Sequence, residues 1–281
     1  IGIFIKEPNA MSDAAIITDS NSGISVKEGR DLGVAVVPMP VHIDGKIFYE
    51  GLDLTQPKFY DAMRKGAAVS TSQPSPADVV AVWNRCLKDH REAVYIPMSA
   101  GLSGSCQMAA LMAREYDGRV QVADNRRISV PQRFAVMDAL RMAKEGRSAA
   151  EIRQTLEEEG ADNCVYITVD TLRYLRKGGR VSGVEAVAGS MLNIKPVMEI
   201  RSEKLTAIGK ARGMKSARRF MLQRVREDFE GRLKPRELLD GWRDEVQAAF
   251  PAQKEIFSEP LTLSVACHTG PGALAVGAVR V

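Results

Sequence analysis

The chain has 281 residues, of which 45% are hydrophobic and 26% are charged, and its net charge is +4. This length favours two domains, and this composition is typical of a globular protein with a sizeable core. No apolar run approaches the roughly 18 residues that cross a bilayer, so we expect no membrane span.

The cysteines and the start of the sequence bear on localisation. The opening apolar stretch is too short for a secretory signal, and we expect a cytoplasmic protein. Since Met11 lies just before the first clear strand, we expect residues 1–10 to be partly an upstream extension. The four cysteines lie in apolar segments without a CxxC pair, which predicts reduced thiols rather than disulfides or a zinc site. They are Cys86, Cys106, Cys164 and Cys267.

Positive charge is concentrated between Arg201 and Arg236, where 12 basic and 4 acidic side chains give a net charge of +8. Such a segment could face an acidic protein or a nucleic acid, but a solvated helix face is the simpler interpretation. The segment carries no recognised nucleic-acid-binding motif, so we expect no nucleic-acid partner.

The first half of the chain alternates strand and helix signals. Strands are predicted at Ala14–Thr18, Val34–Ile43, Ala93–Pro97 and Val120–Ala123. Helices are predicted at Phe59–Lys65, from Pro76 behind an N-cap at Ser75, at Ser103–Tyr116, and twice between Val130 and Gly160. This alternation predicts a mostly parallel sheet flanked by helices, with ligands at the carboxyl ends of its strands.

A second α/β unit is predicted to begin near residue 162, which divides the chain into domains over residues 11–161 and 162–281. Its strands are predicted at Cys164–Val169, Ile194–Ile200, Leu205–Ile208 and Leu261–Ala266. Its helices are predicted as a short one capped by Asp170, then at Val184–Leu192, Ala217–Phe229 and Glu237–Phe250. The expected fold class is therefore α/β, with two α/β domains.

Three hydroxyl-rich turns are candidates for a ligand site, at residues 70–75 (STSQPS), 99–105 (SAGLSGS) and 268–272 (HTGPG). We expect the second and the third to follow a strand and to lead into a helix. The unpaired N–H groups and partial positive charge of a helix N-terminus bind carboxylate or phosphate. His268 could complete such an anion site, although each hydroxyl could instead cap its own helix.

Signals for catalysis or for a cofactor are weaker. The chain has no Walker A or GxGxxG motif, and its GLSGS segment lacks the last glycine of a nucleophile elbow. No His/Asp/Glu cluster has metal spacing, so we expect no metal and no cofactor. His42 and His90 are isolated histidines for which we expect no function. A hydrolase or acyl transferase that uses Ser103 and His268 would need an orienting carboxylate, and Asp19 is its one obvious candidate.

Eight short motifs occur in a fixed order from about Ile16 to the C-terminus. They are Thr18-Asp19-Ser20, Val37-Pro38, the TSQPS segment at 71–75, LSGSCQ at 102–107, LRYLRKGGR at 172–180, LNIKP at 192–196, Arg212-Gly213, and HTGPGA at 268–273. Each motif alone is modest, but together they resemble the DegV family of fatty-acid-binding proteins.

The resemblance implies two α/β domains with a lipid pocket between them and a bound long-chain fatty acid such as palmitate, stearate or oleate. The carboxylate is expected at Thr71, Ser103 and His268. The resemblance implies further candidates near the head group. The arginines of the LRYLRKGGR segment, Arg173 foremost, would either help to hold the head group or dock a kinase. These candidates are Ser72, Gly104, Ser105, Thr269 and Arg173.

The resemblance also implies a carrier that is not catalytic by itself. Some members of the family present the fatty acid to a separate fatty acid kinase, which makes an acyl phosphate for phospholipid synthesis. Transient contact with a membrane is compatible with that role. The 12 methionines would suit a pocket for a flexible acyl chain, although most are expected in the core.

The sequence departs from the family pattern at three positions. Ser105 replaces the usual threonine after LSG, Cys106 replaces the usual aromatic residue, and Asn21 stands where a threonine is common. Because Ser105 keeps a hydroxyl, we expect the anion site to survive, whereas the smaller Cys106 is expected to alter the pocket wall. The acyl-chain preference stays open.

Overall fold

The computed structural model describes residues 13–161, 163–180, 193–201, 204–231, 235–239, 246, 248–250, 256–257 and 259–280. The strands are β1 (Ala14–Asp19), β2 (Val34–Val37), β3 (Pro40–Ile43), β4 (Lys46–Tyr49), β5 (Val69–Thr71), β6 (Glu92–Ile96), β7 (Val120–Val122), β8 (Asn163–Thr168), β9 (Ile194–Arg201), β10 (Lys204–Arg212), β11 (Pro235–Leu239), β12 (Ile256–Phe257) and β13 (Leu274–Arg280). The helices are α1 (Val26–Leu32), α2 (Gln56–Arg64), α3 (Pro76–Cys86), α4 (Ser105–Ala113), α5 (Val130–Lys144), α6 (Ala149–Glu158), α7 (Arg173–Lys177), α8 (Gly213–Gly231) and α9 (Leu263–Thr269).

The first domain is built on a parallel sheet with the strand order β2-β1-β6-β7. Ala14 and Ile16 of β1 pack against α5 and α6, whereas Ala15 and Ile17 pack against α3 and α4. Because helices cover both faces, β1 is buried along its whole length and its sequence does not alternate with polar residues. The predicted parallel sheet flanked by helices is confirmed.

The extended segment predicted at Val34–Ile43 is divided between two sheets. Its first part is β2, whereas β3 pairs with β4 and β5 in a separate antiparallel sheet of three strands. Pro38 lacks the N–H group that a ladder hydrogen bond requires, and it lies between β2 and β3, where the chain leaves the parallel sheet after Val37. The small sheet carries the TSQPS turn at the end of β5.

The second domain contains a sheet with the order β10-β9-β8-β13-β11-β12, antiparallel except between β11 and β12. Along β8, Cys164 and Tyr166 pack against α8, whereas Val165 and Ile167 face away from it. The predicted hairpin at residues 194–208 is confirmed as the antiparallel pair β9 and β10. We call the face that carries Val165 and Ile167 the inner face of this sheet, and it lies opposite the first domain.

The strand predicted at Leu261–Ala266 is wrong, because this segment begins the helix α9. A short apolar run has too few residues for its periodicity to separate a strand from a buried helix. Contacts with β5, β3 and α7 settle the choice, since α9 fills the space between the small sheet and the second domain.

Two further predictions are corrected. Asp170 does not cap α7, because its carboxylate pairs with Lys195 Nζ at 2.5 Å, while Thr171 Oγ1 accepts from the amide of Arg173 at 3.2 Å. The helix predicted at residues 237–250 is wrong at its start, where residues 237–239 belong to β11. Most of its remainder, like the helix predicted at residues 184–192, lies outside the described residues. The domain boundary at residues 161 and 162 stays a prediction.

Candidate functional site

A cavity of about 160 Å³, called the first cavity below, lies between the parallel sheet and the sheet of the second domain. Its walls come from the turns after β1, β5 and β6 and from the inner faces of β8 and β9. The turns after β1 and β6 lie at carboxyl ends of parallel strands, where open α/β sheets bind ligands. Since one water needs roughly 10–15 Å³ of such space, the first cavity accommodates about a dozen atoms of that size.

Most of the first cavity is lined by apolar side chains. Three of the 12 methionines contribute to it, together with aliphatic residues from both domains. Examples are Met39, Met98, Met198, Ile167, Leu175 and Val265. The unbranched thioether side chain of methionine adapts to an irregular or flexible apolar ligand, so these walls suit an alkyl chain.

One end of the first cavity is polar. Thr71 Oγ1 and His268 Nε2 form a hydrogen bond of 2.9 Å, and Ser103 lines the same cavity. Thr71 is the last residue of β5, His268 lies in the last turn of α9, and α9 packs directly against β5. Three residues that are distant in sequence therefore line one cavity.

The hydroxyl-rich turns enter the site from different directions. The turn at 70–75 follows β5 and leads into α3, and the turn at 99–105 follows β6 and leads into α4. The turn at 268–272 does the reverse of what we predicted, because it ends α9 and leads into β13. His268 and Thr269 thus lie at the carboxyl end of a helix, where the backbone offers carbonyl groups rather than amides.

The amides at this site come from the start of α4. Gly104 is the N-cap of α4 and supplies no capping side chain, and Ser103 Oγ accepts from the amide of Ser105 at 3.2 Å. A Cβ atom on Gly104 would lie 2.8 Å from Nε2 of Gln73, so the two serine-rich turns touch there. An anion between these turns would meet hydroxyls, the Gln73 amide group and the positive end of the α4 dipole.

The remaining candidates are placed as follows. Ser72, Gly104 and Thr269 also line the first cavity. The hydroxyl of Ser105 is buried, and it has no hydrogen-bond partner within the described part of the chain. Ser72 Oγ lies 3.0 Å from Nε2 of His42, a histidine for which the sequence predicted no function.

Among the arginines of the LRYLRKGGR segment, the one that lines the first cavity is not Arg173, which we expected foremost. Arg173 is exposed and does not line the first cavity, whereas Arg180 of the same LRYLRKGGR segment does. The glycine pair before Arg180 is the sequence feature that could have indicated this position of the arginine. A Cβ atom on Gly178 would lie only 2.1 Å from Nδ1 of His268, so no larger residue fits behind the imidazole.

The imidazole of His268 is neutral near pH 7. Burial and, to a smaller extent, the positive charge of Arg180 lower the pKa of His268 to about 4. Within the described residues, its Nδ1 has no hydrogen-bond partner. In the ligand-free chain, the polar end of the first cavity therefore presents a neutral imidazole rather than an imidazolium.

The contacts of a Ser-His-Asp triad are not formed among the described residues. His268 is hydrogen-bonded to Thr71 rather than to Ser103. The Asp19 carboxylate accepts from the amides of Met98 and Asn21 and from the side chain of Gln132, at 2.9 to 3.1 Å. Asp19 thus fixes the turns after β1 and β6 instead of orienting the imidazole.

The described ranges of the chain bear on metal binding and on membrane insertion. No three or more His, Cys, Asp or Glu side chains in these ranges are grouped so that they could hold a metal ion. No helix in these ranges is both long and apolar enough to span a membrane.

Comparison with known proteins gives a consistent result. The family profile described as "Uncharacterised protein, DegV family" matches residues 13–281. A DegV domain-containing protein of Deinococcus radiodurans is 33% identical over 271 residues, which cover 93% of this chain and 96% of the relative.

Solved structures agree with this match. A DegV family protein of Thermus thermophilus, described by its fatty acid binding, is 32% identical with a TM-score of 0.85 and covers 95% of this chain and 99% of its own. DegV of Bacillus subtilis, described as a fatty acid binding protein, is 26% identical with a TM-score of 0.82 and covers 96% and 100%. The family profile matches nearly the whole chain, one relative is 33% identical, and solved structures of the family share the fold. This protein therefore belongs to the DegV family.

Proposed function

We propose that this chain binds a long-chain fatty acid such as palmitate, stearate or oleate, with its carboxyl end and the adjoining methylenes in the first cavity. The carboxylate lies at Thr71, Ser103 and His268, and the alkyl chain extends along the apolar walls. The observation that carries the proposal is the division of one cavity into a hydroxyl and imidazole end and an aliphatic remainder. The relatives from Thermus thermophilus and Bacillus subtilis, both described as binding fatty acids, support it.

The energetics support a bound acyl chain. Burial of a methylene group contributes about 0.8 kcal/mol, so the roughly ten methylenes that fit beside the carboxylate in the first cavity contribute roughly 8 kcal/mol before the entropy of binding is subtracted. The head group meets hydroxyls, a neutral imidazole and helix amides, and the guanidinium of Arg180 is exposed to solvent. This set holds a carboxylate without the strong, buried ion pair that would hinder its release.

We further propose that the protein is a cytoplasmic carrier that presents the carboxylate to a fatty acid kinase. The kinase would convert it to an acyl phosphate for phospholipid synthesis. Ser72, Gln73 and Gly104 line the polar end and are exposed, so a partner protein can reach the carboxylate there. The absence of a triad geometry among the described residues supports the carrier role over the hydrolase.

Mass spectrometry of an organic extract of the purified protein tests the lipid-binding proposal. We expect a near-stoichiometric long-chain fatty acid. Thr71→Val keeps the shape of the side chain but removes its hydroxyl, and we expect it to weaken palmitate binding by about 10- to 100-fold. Thr206→Val is the matched control, because Thr206 is exposed on β10 outside the cavity. An empty extract with no uptake of added palmitate or oleate would overturn the proposal.

The kinase step has a separate test. The palmitate-loaded protein, ATP and a fatty acid kinase are combined, and acyl phosphate is trapped with hydroxylamine. We expect product with the kinase present and none without it. Product from the chain and ATP alone would contradict a carrier, and no product with any fatty acid kinase would remove the kinase proposal while lipid binding stands.

A further inference from the structure

A second cavity of about 40 Å³ adjoins the first cavity. The two cavities share four aliphatic lining residues, which we call the collar. The collar consists of Ile128, Ile167, Ile200 and Val265. Because the same four side chains border both spaces, the second cavity continues the first one and is separated from it only by the collar.

The second cavity is mostly apolar, and Ser129 and Glu259 are its polar lining residues. Val165, Ala275 and Pro131 line it together with the backbone of Gly277. Its one acidic lining residue, Glu259, is paired with Arg133 at 3.2 Å, and a carboxylate there would be repelled rather than bound. A fatty acid that occupies both cavities thus has its carboxylate at Thr71 and its methyl end beyond the collar.

Ile128, one of the four collar residues, is followed by a strained residue that fixes its position. Ser129, which follows Ile128, has φ 59° and ψ −138°, a conformation that residues other than glycine rarely adopt. Its amide donates to the carbonyl of Asn21 at 2.9 Å, and its carbonyl accepts from the amide of Arg133 at 3.0 Å. These two bonds hold Ser129 between the turn after β1 and the start of α5, and they hold Ile128 at the junction of the cavities.

We propose that the collar and the second cavity set the length of the fatty acid that this chain prefers, with Ile128 as the residue that controls passage into the second cavity. The inference rests on the proposed binding of a fatty acid. A chain too short to pass the collar gains nothing from the second cavity, whereas a chain that enters it buries its last methylenes there.

The size of the second cavity gives the expected effect. Its volume of about 40 Å³ corresponds to roughly three water-sized groups, and therefore to about three methylenes. Each buried methylene strengthens binding about fourfold. Acids long enough to fill the second cavity are thus favoured on the order of 60-fold over those that end at the collar.

The test compares dissociation constants for even-numbered saturated acids from decanoate to eicosanoate in the wild type and in Ala275→Leu. The larger side chain fills the second cavity, so we expect about a 60-fold loss for the longest acids. The shortest acid that the wild type binds should keep its affinity. Ala81→Leu on the exposed face of α3 is the matched control and should leave the whole profile unchanged.

A second variant acts in the opposite direction and covers the case in which Ala275→Leu does not fold. Ile128→Ala widens the collar, and we expect the preferred acid to become longer by about two carbons, with weaker discrimination between neighbouring lengths. If the wild type binds fatty acids but neither soluble variant changes the length profile, the inference is overturned and the proposed function stands. If the wild type binds no fatty acid of any length, the proposed function itself fails.

Discussion

The hydrogen bond between Thr71 and His268 depends on a residue that carries no functional group. Gly178 lies behind the imidazole, where a Cβ atom would lie 2.1 Å from Nδ1. Gly179, the next residue, has φ 70° and open space around its own Cβ position. The two glycines of the LRYLRKGGR motif thus have different roles, one steric and one conformational.

This difference predicts distinct effects for two alanine substitutions. Gly178→Ala forces the imidazole away from Thr71, so we expect palmitate binding to weaken at least tenfold in a titration while the far-ultraviolet circular dichroism is kept. Gly179→Ala is the control, because it adds roughly 1 kcal/mol of backbone strain without touching His268. Equal binding losses in both variants would show that the motif acts only through the stability of the fold.

The neutral state of His268 predicts a pH dependence of stability. Burial holds its pKa at about 4, below the ordinary value of 6.5, so the unfolded chain binds more protons between these values. The stabilisation is complete above pH 6.5 and is lost as the pH falls through about 4. We expect His268→Gln to remove about 2–3 kcal/mol of this dependence in urea titrations of the lipid-free protein. An unchanged difference between pH 7 and pH 4 would contradict a buried neutral imidazole.

At the scale of the element, α9 is positioned by a residue far from it in sequence. Thr262 is the N-cap residue of α9, but its side chain makes no capping hydrogen bond. Instead, Glu50 Oε1 accepts from the amide of Leu263 at 2.7 Å. Gln56 Nε2 donates to the carbonyl of Leu261 at 2.8 Å. The region around the small sheet therefore holds the start of α9 while β5 contacts its end, and this fixes His268 relative to Thr71.

Glu50 predicts a second pH dependence, of opposite sign. Burial raises the pKa of Glu50 from 4.5 to about 7, so the folded chain binds more protons in this range. Its contribution is complete below pH 4.5 and is lost as the pH rises through about 7. We expect Glu50→Gln, which keeps the oxygen that accepts from Leu263, to remove on the order of 2 kcal/mol of the decline between pH 5 and pH 8. A parallel profile in wild type and variant would exclude this role.

At the scale of the whole molecule, the first cavity is lined by both domains, so a bound fatty acid contacts both. A ligand that binds only the folded chain raises its free energy of unfolding by about 2.7 kcal/mol at 100 times its dissociation constant. For a chain of this size we expect palmitate at that concentration to raise the Tm by about 5–10 °C. Hexadecanol, which lacks the carboxylate, is the control ligand and should raise it less. Equal shifts would contradict a head-group site at Thr71, Ser103 and His268.

The sequence determined the features that depend on local patterns. The buried run of β1, the cap at Ser75 and the break between α5 and α6 follow from composition and capping residues close in the chain, and the structure confirms them. The order of the motifs indicated the family, whereas the residues that hold a carboxylate stay a prediction. These properties are readable because each is encoded within a few consecutive residues.

Only the tertiary structure decided the features that depend on distant contacts. The run before His268 became a helix because of what packs around it, and Arg180 rather than Arg173 reached the first cavity because of the turn at Gly178 and Gly179. The collar joins Ile128 to residues that lie more than thirty positions away. Side-chain direction and long-range packing set such arrangements, and no short window of sequence contains them.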